Sequence, residues 1–123
     1  MRVLLDECVP KAFRRQLHGH FVVTIREMGW SGKQNGELLA LMQIAGFEVL
    51  VTVDQNLRYQ QNLAASSISL LVMIAKTNKL QDLIPLAEPV RLALAVRVPG
   101  TVVEVSRVRH ITPAADPRRS PPS

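Results

Sequence analysis

The chain alternates short, uniformly apolar runs with stretches whose apolar residues recur at helical spacing. Arg2–Asp6 (RVLLD) shows no polar alternation, which is the pattern of a central strand covered on both faces. Pro10 is suited to starting a helix, and Val9, Phe13 and Leu17 then share an inward face. His20–Ile25 (HFVVTI) reads as a second strand entered by a turn at Gly19, with Gly29 and Gly32 marking the loop beyond it. A helix follows, capped by Asn35, carrying Leu38, Leu41, Met42 and Ala45 inward and closed by Gly46. Phe47–Val53 (FEVLVTV) is a third strand with Asp54 at its end, and a short polar helix is expected over about Asn56–Leu63.

Ser69–Ala75 (SLLVMIA) supplies a fourth strand. Leu80–Val96 is helical but interrupted: Pro85 suits a first turn, whereas Pro89 inside a helix would remove a hydrogen bond. Two helical pieces or a kink are expected there. Thr101–Val105 (TVVEV) is a fifth strand at an edge, and from Thr112 onward the run TPAADPRRSPPS is Pro-rich and polar, a flexible tail. Strands separated by helices predict an α/β fold: a single doubly wound, mostly parallel sheet of about five strands flanked by helices. The expected domain covers residues 1–111 and the tail 112–123.

Composition narrows the class. With 123 residues, 47% of them hydrophobic, the chain fits one domain with a real core. Its longest apolar run, near Ser69–Ala75, is far below the roughly 20 residues that span a bilayer. No secretory signal is visible, and the single Cys8 forbids an intramolecular disulfide, so a soluble cytoplasmic protein without a membrane partner is expected. The net charge of +5 favours polyanionic partners, although Arg107, Arg109, Arg118 and Arg119 near the C-terminus inflate it. An aromatic content of 4% argues against a stacking platform for single strands.

In a doubly wound sheet, ligands bind beyond the carboxyl ends of the strands where the strand order reverses. Asp6, followed by Glu7, ends the first strand and Asp54 ends the third, so the carboxylates would meet at that point. Adjacent carboxylates repel unless a cation sits between them, and hard oxygen ligands suit magnesium or manganese. A strand-end aspartate more often caps the following helix; two on neighbouring strands favour a site. Glu37, in the run NGELL, is either a third acid or a first-turn glutamate favoured by the helix dipole.

The opening VLLDE with its Pro-started helix, the run GHFVVTIREMGWSGKQNGELL, and VTVDQNLRYQQNL together resemble PIN-like nuclease domains, in a short bacterial branch related to VapC-type toxins. The likeness covers about residues 2–105 in order and spacing. It implies a magnesium- or manganese-dependent ribonuclease, often controlled by a cognate antitoxin and often pairing as a homodimer. By position, the catalytic metal ligands would be Asp6, Glu37 and Asp54, with Glu7 beside them. Where many members carry a second aspartate after the strand-end one, this chain has Asn56, which removes a negative charge.

Other residues offer chemistry more weakly. Lys11, Arg14 and Arg15 fall at i, i+3 and i+4 of the first helix and would contact RNA phosphates, or form a solvated face. Arg58, one turn beyond Asp54, is a further phosphate contact, and Gln55, Gln60, Gln61 and Asn62 offer hydrogen bonds to RNA or simply a polar helix. His18 and His20 form an HxH pair too sparse for zinc, Cys8 reads as a small buried hydrophobe, and Trp30 as a core cover. Two other functions stay open. Asp6, Glu7 and Asp54 could mimic a receiver-like phospho-acceptor, although Lys76 precedes Thr77 where such a domain needs lysine after the fifth strand. A non-catalytic nucleic-acid-binding module is the other.

Overall fold

The computed structural model describes residues 1–55, 63–107 and 111–113. Strand β1 (Arg2–Leu5) leads into a 3₁₀ helix over Lys11–Gln16 and then β2 (Phe21–Thr24). Helix α1 (Asn35–Ile44), β3 (Val49–Thr52) and β4 (Ser69–Ile74) follow. Helix α2 (Leu80–Leu83), a 3₁₀ turn at Ile84–Leu86 and helix α3 (Ala87–Ala95) lead to β5 (Val102–Ser106) and a short β6 (Ile111–Pro113).

The sheet runs β2-β1-β3-β4-β5-β6. The pairs from β2 through β5 are parallel, and β6 lies antiparallel to β5. This is the expected α/β sheet, flanked by helices on both faces. Its core has two halves because successive strand residues point to opposite sides. Val3, Leu5, Val49, Val51, Leu71 and Met73 meet Phe13, Leu17, Leu83, Val90 and Leu94 on one face. Leu4, Leu50, Leu70 and Val72 meet Leu38, Leu39, Met42 and Phe47 on the other. Cover on both faces explains the absence of polar alternation in the central strands.

Several boundaries depart from expectation, each for a local reason. The helix foreseen after Pro10 is a 3₁₀ helix, with Phe13 N–H donating to Pro10 O at 2.9 Å and Leu17 N–H to Arg14 O at 3.0 Å. Helix α1 includes Asn35, and Gln34 precedes it as cap residue without a side-chain bond. Leu39 is buried on α1, and Leu41 and Ala45 are only half-buried. Gly46 ends that helix at φ 79°, its N–H donating to Gln43 O at 3.2 Å. Pro89 costs no interior hydrogen bond, because α3 begins at Ala87 and the proline falls in its first turn. β5 is not an edge strand: Thr112 and Pro113 pair with Glu104 and Val103, so the sheet extends past the expected start of the tail. The polar helix expected around Asn56–Leu63 lies almost wholly outside the described residues, as does the chain after Pro113.

One edge of the sheet is β2, and side chains cover it. Phe21 and Ile25 donate to Met1 O and Leu5 O, so the groups of Val22 and Thr24 face outward. Val22 O accepts from Arg14 Nη1 at 3.3 Å, Thr24 N–H donates to Glu27 Oε1 at 3.0 Å, and Thr24 O accepts the Met28 N–H at 3.2 Å. Such cover blunts an edge that would otherwise recruit another strand. Several cations are held within the fold in the same way. Arg97 donates to Glu48 O, Ser67 O and Ser69 Oγ, Arg91 donates to Gln16 O, and the Arg2 guanidinium lies over the Phe21 and Phe47 rings. Part of the basic charge is therefore structural. Among the described residues no helix is long and apolar enough to cross a membrane.

Candidate functional site

The order 2-1-3-4-5 puts the reversal of winding between β1 and β3, the place where doubly wound sheets bind ligands. The register pairs Leu5 with Val51, which brings Asp6 level with Thr52, and the Asp6 N–H donates to Val51 O at 2.9 Å. Asp54 follows two residues after Thr52.

Thr52 joins the two aspartates. It is fully buried, and its hydroxyl donates to Asp6 Oδ2 at 2.7 Å while accepting the Asp54 N–H at 3.0 Å. That commits its one proton to the carboxylate, so the Cys8 thiol, with Sγ at 3.4 Å, is the donor in their contact. Asp6 Oδ1 accepts the Glu7 N–H at 2.8 Å. Both Asp6 oxygens are thus oriented by the chain, and each keeps lone-pair capacity for a further partner. Asn78 Nδ2 donates to Cys8 O at 2.9 Å and ties the loop after β4 to the loop after β1. Burial pushes the Cys8 thiol up, so it stays protonated at neutral pH and is no nucleophile.

Asp6 and Asp54 are half-buried and Glu7 is exposed. Glu37 does not join them. It sits exposed on α1 with Oε2 3.8 Å from Lys33 Nζ, because burying Leu38, Leu39 and Met42 turns it outward. Among the described residues no group of three or more His, Cys, Asp or Glu side chains could hold a metal ion. The expected trio Asp6, Glu37 and Asp54 is therefore not assembled. What Thr52 brings together is the Asp6 carboxylate and the backbone amide of Asp54, and the side chains of both aspartates offer hard carboxylate oxygens. They suit magnesium or manganese, which bind through one or two carboxylates and keep their remaining waters.

The basic residues of the first helix also divide differently. In a 3₁₀ helix positions i and i+3 align, so Lys11 and Arg14 share a face and Arg15 does not. Arg14 forks onto Glu27 at 2.9 and 2.8 Å, and Lys11 Nζ lies 3.3 Å from Glu27 Oε2. Arg15 is exposed. Glu27 and Thr24 bond reciprocally, with each backbone N–H meeting the other's side chain at 3.0 Å. This capping box holds the turn after β2. The Arg14 guanidinium, the Thr24 amide and Lys11 hold the Glu27 carboxyl down at about 2. Between this turn and the end of β1 lies a cleft of about 360 Å³, whose walls include Asp6, Glu7, Lys11, Thr24, Arg26 and Glu27.

Of the remaining sequence candidates, His18 and His20 precede β2, and burial pushes the His20 imidazole down. Trp30 packs edge-on against Phe47 with ring centroids 5.8 Å apart, as a core cover does. Gln55 is exposed. Arg58, Asn56, Gln60, Gln61 and Asn62 lie outside the described residues. Sequence reasoning missed Thr52, Arg26 and the Thr24–Glu27 pair. The signals were a hydroxyl closing an apolar strand in VTVD and the capping-box spacing T-x-x-E in TIRE. No family model, no curated protein and no solved structure matches the chain.

Proposed function

We propose that this chain is a PIN-like, metal-dependent ribonuclease that hydrolyses RNA phosphodiester bonds where β1 and β3 end. The observation that carries the reading is the buried Thr52 hydroxyl at the switch in strand order, which binds the Asp6 carboxylate and the Asp54 backbone amide. Asp6, oriented by Thr52 and the Glu7 amide, and Asp54 are the residues that would hold a magnesium or manganese ion, with Glu7 beside them. The chemistry such an ion would supply there is activation of a water and neutralisation of charge developing on phosphate. Thr52 ties the Asp6 carboxylate to the backbone at Asp54, and burial pushes the neighbouring Cys8 thiol up. A toxin role with a cognate antitoxin, and pairing of two copies, belong to the same reading through the family resemblance.

The test is incubation of the purified chain with RNA in magnesium, in manganese and in chelator. Cleavage should require the metal and vanish in Asp6→Asn and Asp54→Asn variants that keep wild-type circular dichroism. Intact RNA in every metal would overturn the reading.

One observation favours a second reading. The order 2-1-3-4-5, with acids after β1 and an aspartate after β3, is also that of phospho-acceptor receiver domains. Against it, β5 ends at Ser106 and runs into Arg107, with no lysine there. A small phosphodonor with magnesium separates the two, since only a receiver gains a stable aspartyl phosphate.

A further inference from the structure

The cleft beside Asp6 has two chemically different ends. Asp6 and Glu7, at the end of β1, make one end acidic, while Lys11 and Arg26 bring positive charge to the other. The carboxylate at the basic end, Glu27, is already engaged by Arg14 at 2.8 and 2.9 Å, by Lys11 at 3.3 Å and by the Thr24 amide at 3.0 Å. Arg26 itself is exposed, and its side chain makes no hydrogen bond or ion pair with another described residue. Its backbone is nevertheless fixed. The reciprocal Thr24–Glu27 bonds bracket it, and Arg26 O accepts the Gly29 N–H at 2.9 Å.

A guanidinium carried on a hydrogen-bonded turn, with its fork unused, is available to a bidentate anion. The anion that suits this place must accept that fork and tolerate carboxylates across the cleft. A phosphodiester does so when a cation occupies the acidic end, because the cation attracts phosphate oxygens and carboxylates alike. At about 360 Å³ the cleft lies at the small end of ligand sites, a size for one sugar-phosphate unit rather than a duplex. We infer that the basic end is a subsite for one phosphate of a single-stranded RNA entering the acidic edge, with Arg26 as its guanidinium contact. The inference rests on the ribonuclease reading for the identity of the strand; Arg26 contacts substrate and takes no part in bond cleavage.

The test is equilibrium binding of a labelled, cleavage-resistant single-stranded phosphorothioate RNA, by fluorescence anisotropy with magnesium present across a salt series. Arg26→Ala should weaken binding by about three- to tenfold and reduce the salt slope by about one. Arg107→Ala, which changes an exposed arginine outside the cleft, should stay within about twofold of wild type. Equal losses in the two variants, or none in Arg26→Ala, would overturn the inference. So would displacement of the RNA by inorganic phosphate at matched ionic strength, which would mark a site for free phosphate. Melting with and without magnesium keeps the two ideas apart. A magnesium-raised midpoint together with normal RNA binding by Arg26→Ala sinks the subsite and leaves the metal reading standing. No magnesium effect on wild type, with weakened RNA binding by Arg26→Ala, sinks the metal reading and leaves the phosphate contact.

Discussion

Replacing Thr52 with valine removes one hydroxyl and little else. Valine matches threonine in shape and β-branching, so the strand keeps its geometry and the fully buried site keeps its volume. Three contacts go: the 2.7 Å bond to the Asp6 carboxylate, the 3.0 Å bond from the Asp54 amide, and the weak thiol contact at 3.4 Å. A hydrogen bond to a charged group contributes about 1.5–3 kcal/mol, and an orphaned amide costs about 1 kcal/mol or more unless water reaches it. Asp6 and Asp54 are half-buried, so water recovers part of this. The expected loss is about 2–3 kcal/mol, a shift of about 1–2 M in the urea midpoint at unchanged slope. Thr52→Ser keeps the hydroxyl and loses one methyl, which costs about 1 kcal/mol. Urea denaturation followed by circular dichroism orders the two. A valine variant as stable as the serine variant would refute the reasoning. A double-mutant cycle with Asp6→Ala should then show coupling above about 1 kcal/mol, because the Thr52 hydroxyl is spent largely on Asp6.

Glu27 sets an acid limit. Its carboxyl is held at about 2 against an ordinary 4.5, so its contribution is complete above about pH 4.5 and fades as pH falls to about 2. The stability gap between wild type and Glu27→Gln, read from urea midpoints, should hold steady from neutral pH to about pH 5 and close below it. A gap unchanged near pH 3 would contradict the ion pair with Arg14. The same variant loosens the cover on β2, so light scattering should show more self-association than in wild type. Gly100→Ala should cost about 2–3 kcal/mol, since φ is +79° and an added Cβ would meet Ser66 O at 3.2 Å and Leu63 O at 3.3 Å. Gly32→Ala, at φ +81° with nothing within 4 Å, should cost only about 1 kcal/mol. Equal losses at the two glycines would show that the carbonyl contacts do not matter.

The central strands were legible because burial on both faces leaves no polar alternation, as in RVLLD and SLLVMIA. Their ends were less so. β3 is shorter than the expected run, spanning Val49–Thr52, although Glu48 still donates to Arg2 O and accepts the Ser69 N–H at 2.9 Å each. The type of the first helix depended on packing: six residues held by i→i+3 bonds brought Lys11 and Arg14 onto Glu27 and turned Arg15 away. β6 was invisible because Ile111–Pro113 sits in a Pro-rich polar run whose pairing depends on β5. At the site, two aspartates could be placed from strand ends alone, whereas the pattern left Glu37 open between third acid and first-turn glutamate, and the resemblance made it a ligand. Glu37 lies on an outward helical face that only the packing of Leu38, Leu39 and Met42 determines. Thr52 escaped notice because a threonine ending a strand ordinarily signals β propensity rather than a buried bridge.

The most direct test of the central claim is a calorimetric titration of magnesium, then manganese, into the wild-type chain and its Asp6→Asn and Asp54→Asn variants. The account predicts saturable binding in the millimolar range or tighter by the wild type, lost in each variant while circular dichroism shows the fold intact. Wild-type protein that takes up neither metal, or variants that bind as well as wild type, would contradict it.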